Sequence, residues 1–266
     1  MTSELVFIKF GGSLITDKRQ RETPRQDVLQ RLAKELQAAR EADPTLRMVL
    51  GHGSGSFGHW EASRHDTQDG VRTAEAWRGF AQVSAAAARL NRLVTDTLLD
   101  AGVPVLSLQP SASALAESGK VVAWTLDPVR RALAQNLVPL IFGDVAFDRV
   151  QGGTILSTET LLAHLATKMH PQRVLLLGNA PGVLDDGREL IPLITPETYP
   201  AIARFLRGSA HVDVTGGMAD KVEQMLALVR RIPGLRVWIL TGREPGNLYQ
   251  ALLAPPSITG TRIEGV

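Results

Sequence analysis

Cysteine is absent from this 266-residue chain, so neither a disulfide framework nor a thiolate metal site can be built from it. Long apolar runs are missing too. No stretch reaches the length of a membrane span, and no membrane partner is expected. The opening MTSELVFIKF has no basic region ahead of an apolar stretch, so no secretion signal is read there and a cytoplasmic location is the expectation. Charge of one sign is scarce, with a formal net charge of +2. The one short basic run, Lys18-Arg19-Gln20-Arg21, falls short of the concentrated patch of a nucleic-acid binder, so no nucleic-acid partner is expected. Lysine itself is rare: six residues (9, 18, 34, 120, 168 and 221) in a chain that otherwise uses arginine. Lysine is the compact point charge that suits a phosphate oxygen. The signature GxxxxGK[ST] is also absent, which excludes a P-loop nucleotide site.

What is present is an ordinary globular composition, 44% apolar and 21% charged, at a length that suits one large domain or two tightly joined lobes. Short β-prone runs at 5–10, 47–50, 103–108, 138–142, 173–177 and 236–240 alternate with helical patterns. Thr23-Pro24 reads as a helix start with Pro at the first position, continuing to about Glu41. Residues 73–99 read as a long helix, and Asp127-Pro128 opens another. Ser157-Thr158-Glu159 is a well-capped start, and 216–231 is amphipathic. Residues 121–124 are a weaker strand and 145–156 a hairpin. The alternation predicts an α/β fold with a mainly parallel sheet covered on both faces.

Several strands end in glycine beside a small polar residue: Gly11-Gly12-Ser13, the run GHGSGSFGH at 51–59, Gly143-Asp144, Gly178-Asn179 and Thr241-Gly242. Open parallel sheets bind ligands beyond the carboxyl ends of their strands, and glycine lets backbone N–H groups approach an anion. The set predicts a phosphate site made of loops. GSGSFG at 53–58 also matches the dinucleotide pattern GxGxxG, but no acidic residue closes the next strand as a ribose partner. Lys9 interrupts an apolar strand two residues before Gly11, and a buried unpaired ammonium is costly, so it should reach out of the sheet end to an anion. Lys221 lies one turn into a helix with a Gly-rich start. His52 and His59 fall within one octet. No acidic or histidine set accompanies them, so His59 reads as a donor to a phosphate oxygen and His52 as a residue ordering the turn.

The strings KFGGSLITDK (9–18), HGSGSFGH (52–59), GDV (143–145), STE (157–159) and DVTGGMADK (213–221) run in this order along nearly the whole chain and resemble the amino acid kinase family. The octet ending in SFGH is similar to the branch that acts on isopentenyl phosphate; a branch that phosphorylates fosfomycin shares it. The resemblance implies a three-layer αβα sandwich with a mainly parallel central sheet, as a single domain over 1–266. An N-terminal lobe of about 1–172 would hold the phosphoryl acceptor and a C-terminal lobe of about 173–266 would hold ATP. It implies ATP with Mg²⁺, isopentenyl phosphate as the small-molecule partner, and a homodimer. Lys9 and Lys221 would bind ATP phosphates, and Lys18 would stabilise the transferring phosphoryl group. Gly11, Gly12, Ser13 and Gly55 would cradle phosphates through the backbone. His59 would hydrogen-bond the acceptor's phosphate, with Ser54, Gly58 and Thr158 nearby. Asp144 would organise the lysines or the metal, and Asn179, Gly216 and Gly217 would line the nucleotide. No side chain is assigned as a metal ligand. Ser54 stands where the branch usually has Gly, Gly178-Asn179 where it has Thr-Asp, and STE where a Ser-Gly-Asp type is usual.

These residues make chemical sense together. Transfer to an existing phosphate brings two anions together, and the barrier falls by positioning and charge neutralisation. A phosphate monoester needs no general base near neutral pH. An isopentenyl tail would need a small apolar pocket, for which Trp60, Trp77, Phe80, Val83 and Ala87 are candidates. A non-catalytic nucleotide or phosphate sensor is the reading from a different class.

Overall fold

Strand β1 (Leu5–Phe10) is apolar except at Lys9 because both its faces are covered. Val6, Ile8 and Phe10 enter one core and Phe7 enters another. Period-two alternation then puts Lys9 on the Phe7 side. The computed structural model describes residues 4–65, 70–206, 217–255 and 258–265. After β1 come α1 (Gly12–Ile15), α2 (Gln26–Ala42), β2 (Arg47–His52), α3 (Gly55–His65), α4 (Ala74–Asp100) and β3 (Val105–Ser107). They are followed by β4 (Leu115–Glu117), β5 (Lys120–Ala123), α5 (Asp127–Ala134), β6 (Val138–Phe142), β7 (Asp144–Asp148), β8 (Gly152–Leu156) and α6 (Thr158–Met169). The chain ends with β9 (Arg173–Gly178), β10 (Leu193–Ile194), α7 (Tyr199–Leu206), α8 (Met218–Arg231), β11 (Arg236–Thr241), α9 (Asn247–Leu253) and β12 (Thr261–Glu264).

Eight strands form one sheet in the order β10-β12-β11-β9-β1-β2-β6-β3, parallel except for the β11–β12 pair. One face is covered by α2, α4 and α9 through Leu32, Leu36, Leu90, Val94 and Leu248. The other is covered by α6 and α8 through Leu161, Leu165, Val222 and Met225. These are the three layers that the alternation and the resemblance led us to expect. β1 pairs on one side with β2, Lys9 opposite Gly51, and on the other with β9, Lys9 opposite Leu176. One sheet and its cores therefore run unbroken across residue 172. A four-stranded sheet, β5-β4-β7-β8, leaves the main one at Gly143.

The strand ends and the long helix lie where the sequence puts them, and Thr73 caps α4 by accepting from Ala76 N at 3.1 Å. Three details differ. α2 begins at Gln26, and Pro24 is instead bridged to Thr16, closing a loop of which Lys18 is part. The octet is a turn only at Gly53 and Ser54, since α3 starts at Gly55. β3 is three residues long. α1, β4, β10, α7, α9 and β12 have no counterpart among the sequence expectations, and the three strands among them are four residues or shorter.

Candidate active site

The loops after β1 and β2 interlock. A Cβ on Gly12 would lie 2.5 Å from Gly55 N and 2.7 Å from its Cα. Gly55 has φ +49°, and a Cβ there would stand 2.7 Å from Gly12 O. Only glycine at both positions lets the two backbones meet. Hydroxyls lock the contact: Thr16 Oγ1 donates to Gly12 O at 2.7 Å and accepts from Ser56 N at 2.9 Å. Ser56 Oγ in turn accepts from Thr23 N at 3.1 Å, which ties the Lys18 loop to α3. Thr16 and Ser56 are fully buried. Sequence reasoning missed both, and the visible signal was a small hydroxyl inside each Gly-rich loop.

Around this contact lies a cleft of about 450 Å³ beyond the strand ends. Gly55, Thr158 and Met218, the first residues of α3, α6 and α8, all line it. The first N–H groups of a helix lack intrahelical partners, and three such ends give the cleft positive potential before any side chain is counted. Gly12, Ser13 and Ser54 line the cleft as well. Gly11 lines it too, but its N–H is already given to Leu177 O at 2.8 Å, so it cannot serve a phosphate as expected.

Lys9 lies largely buried in the cleft and forms an ion pair with Glu159, the second residue of α6. Burial would raise the Glu159 carboxyl, but the charges of Lys9 and Lys221 outweigh it and hold the group below the ordinary range. One carboxylate therefore balances two lysines drawn from β1 and α8. Sequence reasoning gave this organising part to Asp144, and the structure corrects it. Asp144 is buried and lines no part of the cleft. It accepts from Ser84 Oγ at 3.0 Å, Val145 N at 2.8 Å and Ser111 N at 3.2 Å, holding the hairpin to α4. Glu159 was visible in the STE string, and period-two alternation could have aimed Lys9 at it.

Lys18 and His59 also line the cleft, Lys18 exposed and His59 half-buried. Gly58 does not line it. It is buried against Ser54, where a Cβ would meet the Ser54 side chain. Thr158 lines the cleft, but its hydroxyl donates to His52 O at 2.6 Å and holds α6 to β2. Asn179 Nδ2 donates to Ser13 O at 3.0 Å, while its Oδ1 is buried without a partner. Gly217 precedes α8 as its N-cap; Gly216, with the stretch 213–215, lies outside the described residues. His52 does order the turn, as read. It is fully buried, stacks on Phe142 at 5.7 Å and contacts Gly53 O and Asn91 Oδ1.

Of the tail candidates, Trp77, Phe80 and Val83 share a small apolar cluster with Val71, Val145 and Ile155. Ile155 also lines the cleft, so the cluster adjoins the charged centre. Trp60 is 42% exposed and Ala87 is buried elsewhere, so neither belongs to it. Among the described residues no group of three His, Asp or Glu is built to hold a metal ion.

The profile of the amino acid kinase family matches residues 4–241. The isopentenyl phosphate kinase of Methanocaldococcus jannaschii is 30% identical over 266 residues, 98% of either chain. That of Haloferax volcanii is 37% identical over 251 residues, 92% of this chain and 98% of the relative. A crystal structure of an isopentenyl phosphate kinase superposes with a TM-score of 0.82 at 29% identity, covering 97% of this chain and 99% of its own.

Proposed function

Because the chain belongs to the amino acid kinase family, we propose that it transfers the γ-phosphoryl group of ATP to isopentenyl phosphate, giving ADP and isopentenyl diphosphate. The observation that carries this is the cleft itself: three helix N-termini, Lys9 and Lys221 balanced on Glu159, and Lys18 and His59 at its wall. Such a site binds two phosphorylated molecules side by side and has little else to offer chemically. The C-terminal part of the chain holds the nucleotide and the N-terminal part the acceptor.

In this mechanism Lys9 and Lys221 leave Glu159 in part to neutralise the nucleotide phosphates. The N–H groups of Gly12, Ser13 and Gly55 solvate the same oxygens. Lys18 meets the phosphoryl group in flight, where charge spreads over its equatorial oxygens. His59 and Ser54 hold the acceptor phosphate in line, and the tail runs past Ile155 toward Phe80 and Val83. Mg²⁺, when bound with the nucleotide, would supply charge neutralisation at the phosphates. It would be carried mostly by the nucleotide rather than by a protein cage, which suits a cleft whose only lining carboxylates among the described residues are Glu159 and Asp220. No described helix is long and apolar enough to cross a membrane, and a cytoplasmic enzyme is the reading we adopt.

ADP release from Mg-ATP with isopentenyl phosphate, dimethylallyl phosphate and fosfomycin in turn tests the function. Turnover on isopentenyl phosphate is expected, with His59→Ala raising KM for it far more than KM for ATP. Turnover on fosfomycin alone would keep the phosphate site and overturn the acceptor. ATP binding without ADP release on any of the three would make the protein a sensor.

A further inference from the structure

A second groove, of about 460 Å³, lies where α6, α8 and β5 meet. Four of its lining residues are basic side chains: Lys120 from β5, His164 and Lys168 from α6, and Arg231 from α8. No acidic residue lines it, and Lys120, Lys168 and Arg231 make no ion pair among the described residues. In a chain with six lysines, three line the candidate active site and two of the other three meet here. His164 stands 6.3 Å from Trp124, ring to ring. Burial, then the charges of Lys168 and Arg231, hold its imidazole below the usual histidine range, which makes it a neutral N–H donor among three full charges. The floor between the cations is apolar, with Val121, Ala163 and Leu228.

The groove shares a wall with the active cleft. Gln224 lines both, and its Nε2 donates to Thr160 Oγ1 at 3.4 Å. Thr160 is tied to the Ser157 cap at 2.9 Å and directly follows Glu159. Lys221 is one turn before Gln224 on α8. A ligand held between α6 and α8 would therefore act on the spacing of Glu159 and Lys221 through Gln224 and Thr160.

We propose that this groove is a second, regulatory site for an organic diphosphate, its phosphates on Lys120, Lys168 and Arg231 and a short hydrocarbon chain over Val121, Ala163 and Leu228. Charge alone would serve any polyanion; the apolar floor selects one that carries a hydrocarbon. The product of the function proposed above belongs to this class, so the link to product control rests on that reading, whereas the groove does not.

Titration calorimetry on the full chain tests it, with geranyl diphosphate and inorganic pyrophosphate as probes. Wild type is compared with Lys168→Ala/Arg231→Ala and with Lys221→Ala. Both groove residues are exposed and outside the active cleft, so the double variant should fold and keep its basal turnover. Geranyl diphosphate should bind wild type and Lys221→Ala alike. It should bind the double variant about a hundredfold more weakly, roughly tenfold for each lost charge. Pyrophosphate should bind more weakly than geranyl diphosphate, and equal affinity would overturn the role of the hydrocarbon. Binding lost in Lys221→Ala but kept in the double variant would assign the ligand to the active cleft and sink the proposal. Geranyl diphosphate should also change KM for ATP in wild type and not in the double variant; binding without that change would overturn regulation. Because calorimetry needs no turnover, failure of the kinase reading and failure of the groove are told apart.

Discussion

Glu159 is the residue on which the charge arrangement turns. Two lysines bear on it, and its carboxyl is held below the ordinary glutamate range because Lys9 and Lys221 outweigh the cost of its burial. Its charge therefore contributes stability above the ordinary glutamate value, lost only as pH falls below it. Glu159→Gln keeps the shape and removes the charge. We expect kcat to fall on the order of a hundredfold, as for a small misplacement of catalytic groups, because Lys9 loses its ion-pair partner and Lys221 the negative charge beside it. KM for ATP should stay level or drop, since the nucleotide no longer competes with a carboxylate. Steady-state kinetics separates the two: a raised KM with unchanged kcat would make Glu159 a binding contact instead. His52 acts through stability alone. Burial, helped by Lys9, pushes its ring down to about 4 from the usual 6.5. Between those values the unfolded chain takes up a proton that the folded chain refuses, so stability falls as pH drops from about 6.5 to 4, by up to roughly 3 kcal/mol. His52→Asn retains an N–H toward Gly53 and cannot titrate. Its melting temperature should be lower at neutral pH yet nearly flat across that window. A slope as steep as that of wild type would assign the acid lability to other groups.

Elements carry the geometry that single residues cannot. The meeting of α1 with the start of α3 has no room for a methyl group, since a Cβ on Gly12 would lie 2.5 Å from Gly55 N. Gly12→Ala must push the β1 loop away from α3, at a local strain of about 1–3 kcal/mol. Thermal unfolding should show that loss, and ADP release should drop much further than stability does, because Gly12, Ser13 and the Lys18 loop move together. A variant with full turnover would show that the two loops need not touch. The sequence carried the glycines and the strand ends, because a strand that must stop at a ligand leaves both marks. It did not carry the partner of each glycine, since Gly12 and Gly55 are brought together only by the β1–β2 register. The same limit explains Asp144. Next to a strand-end glycine it looked like a site residue, but β7 turns it to Ser84 and Ser111 on the far side of the hairpin. Pro24 misled for another reason: fixed φ suits a helix start and a bridged loop equally well.

At the scale of the whole molecule, layers and sheet direction were legible because alternation of strand and helix constrains them strongly. The smaller four-stranded sheet was not, since β4 is three residues long and its pairing to β7 is set by tertiary contact. The large sheet ends on β10, a two-residue strand, and on β3. Both edges are short, but β3 leaves Leu106 41% exposed on its open side. α4 packs beside it and carries Leu93 and Leu99, 37% and 47% exposed. Apolar side chains on an unpaired edge and its neighbouring helix suit a twofold interface, in which each copy covers the other's leucines. The homodimer we propose uses this face. Sedimentation at micromolar concentration should give twice the chain mass for wild type and the single mass for Leu99→Glu/Leu106→Glu. Neither residue lines the active cleft, so the monomeric variant should still release ADP, with a lower melting temperature that no longer rises with protein concentration. A wild-type monomer would leave the three leucines unexplained by self-association. A double variant that stays dimeric would move the interface to another face of the chain.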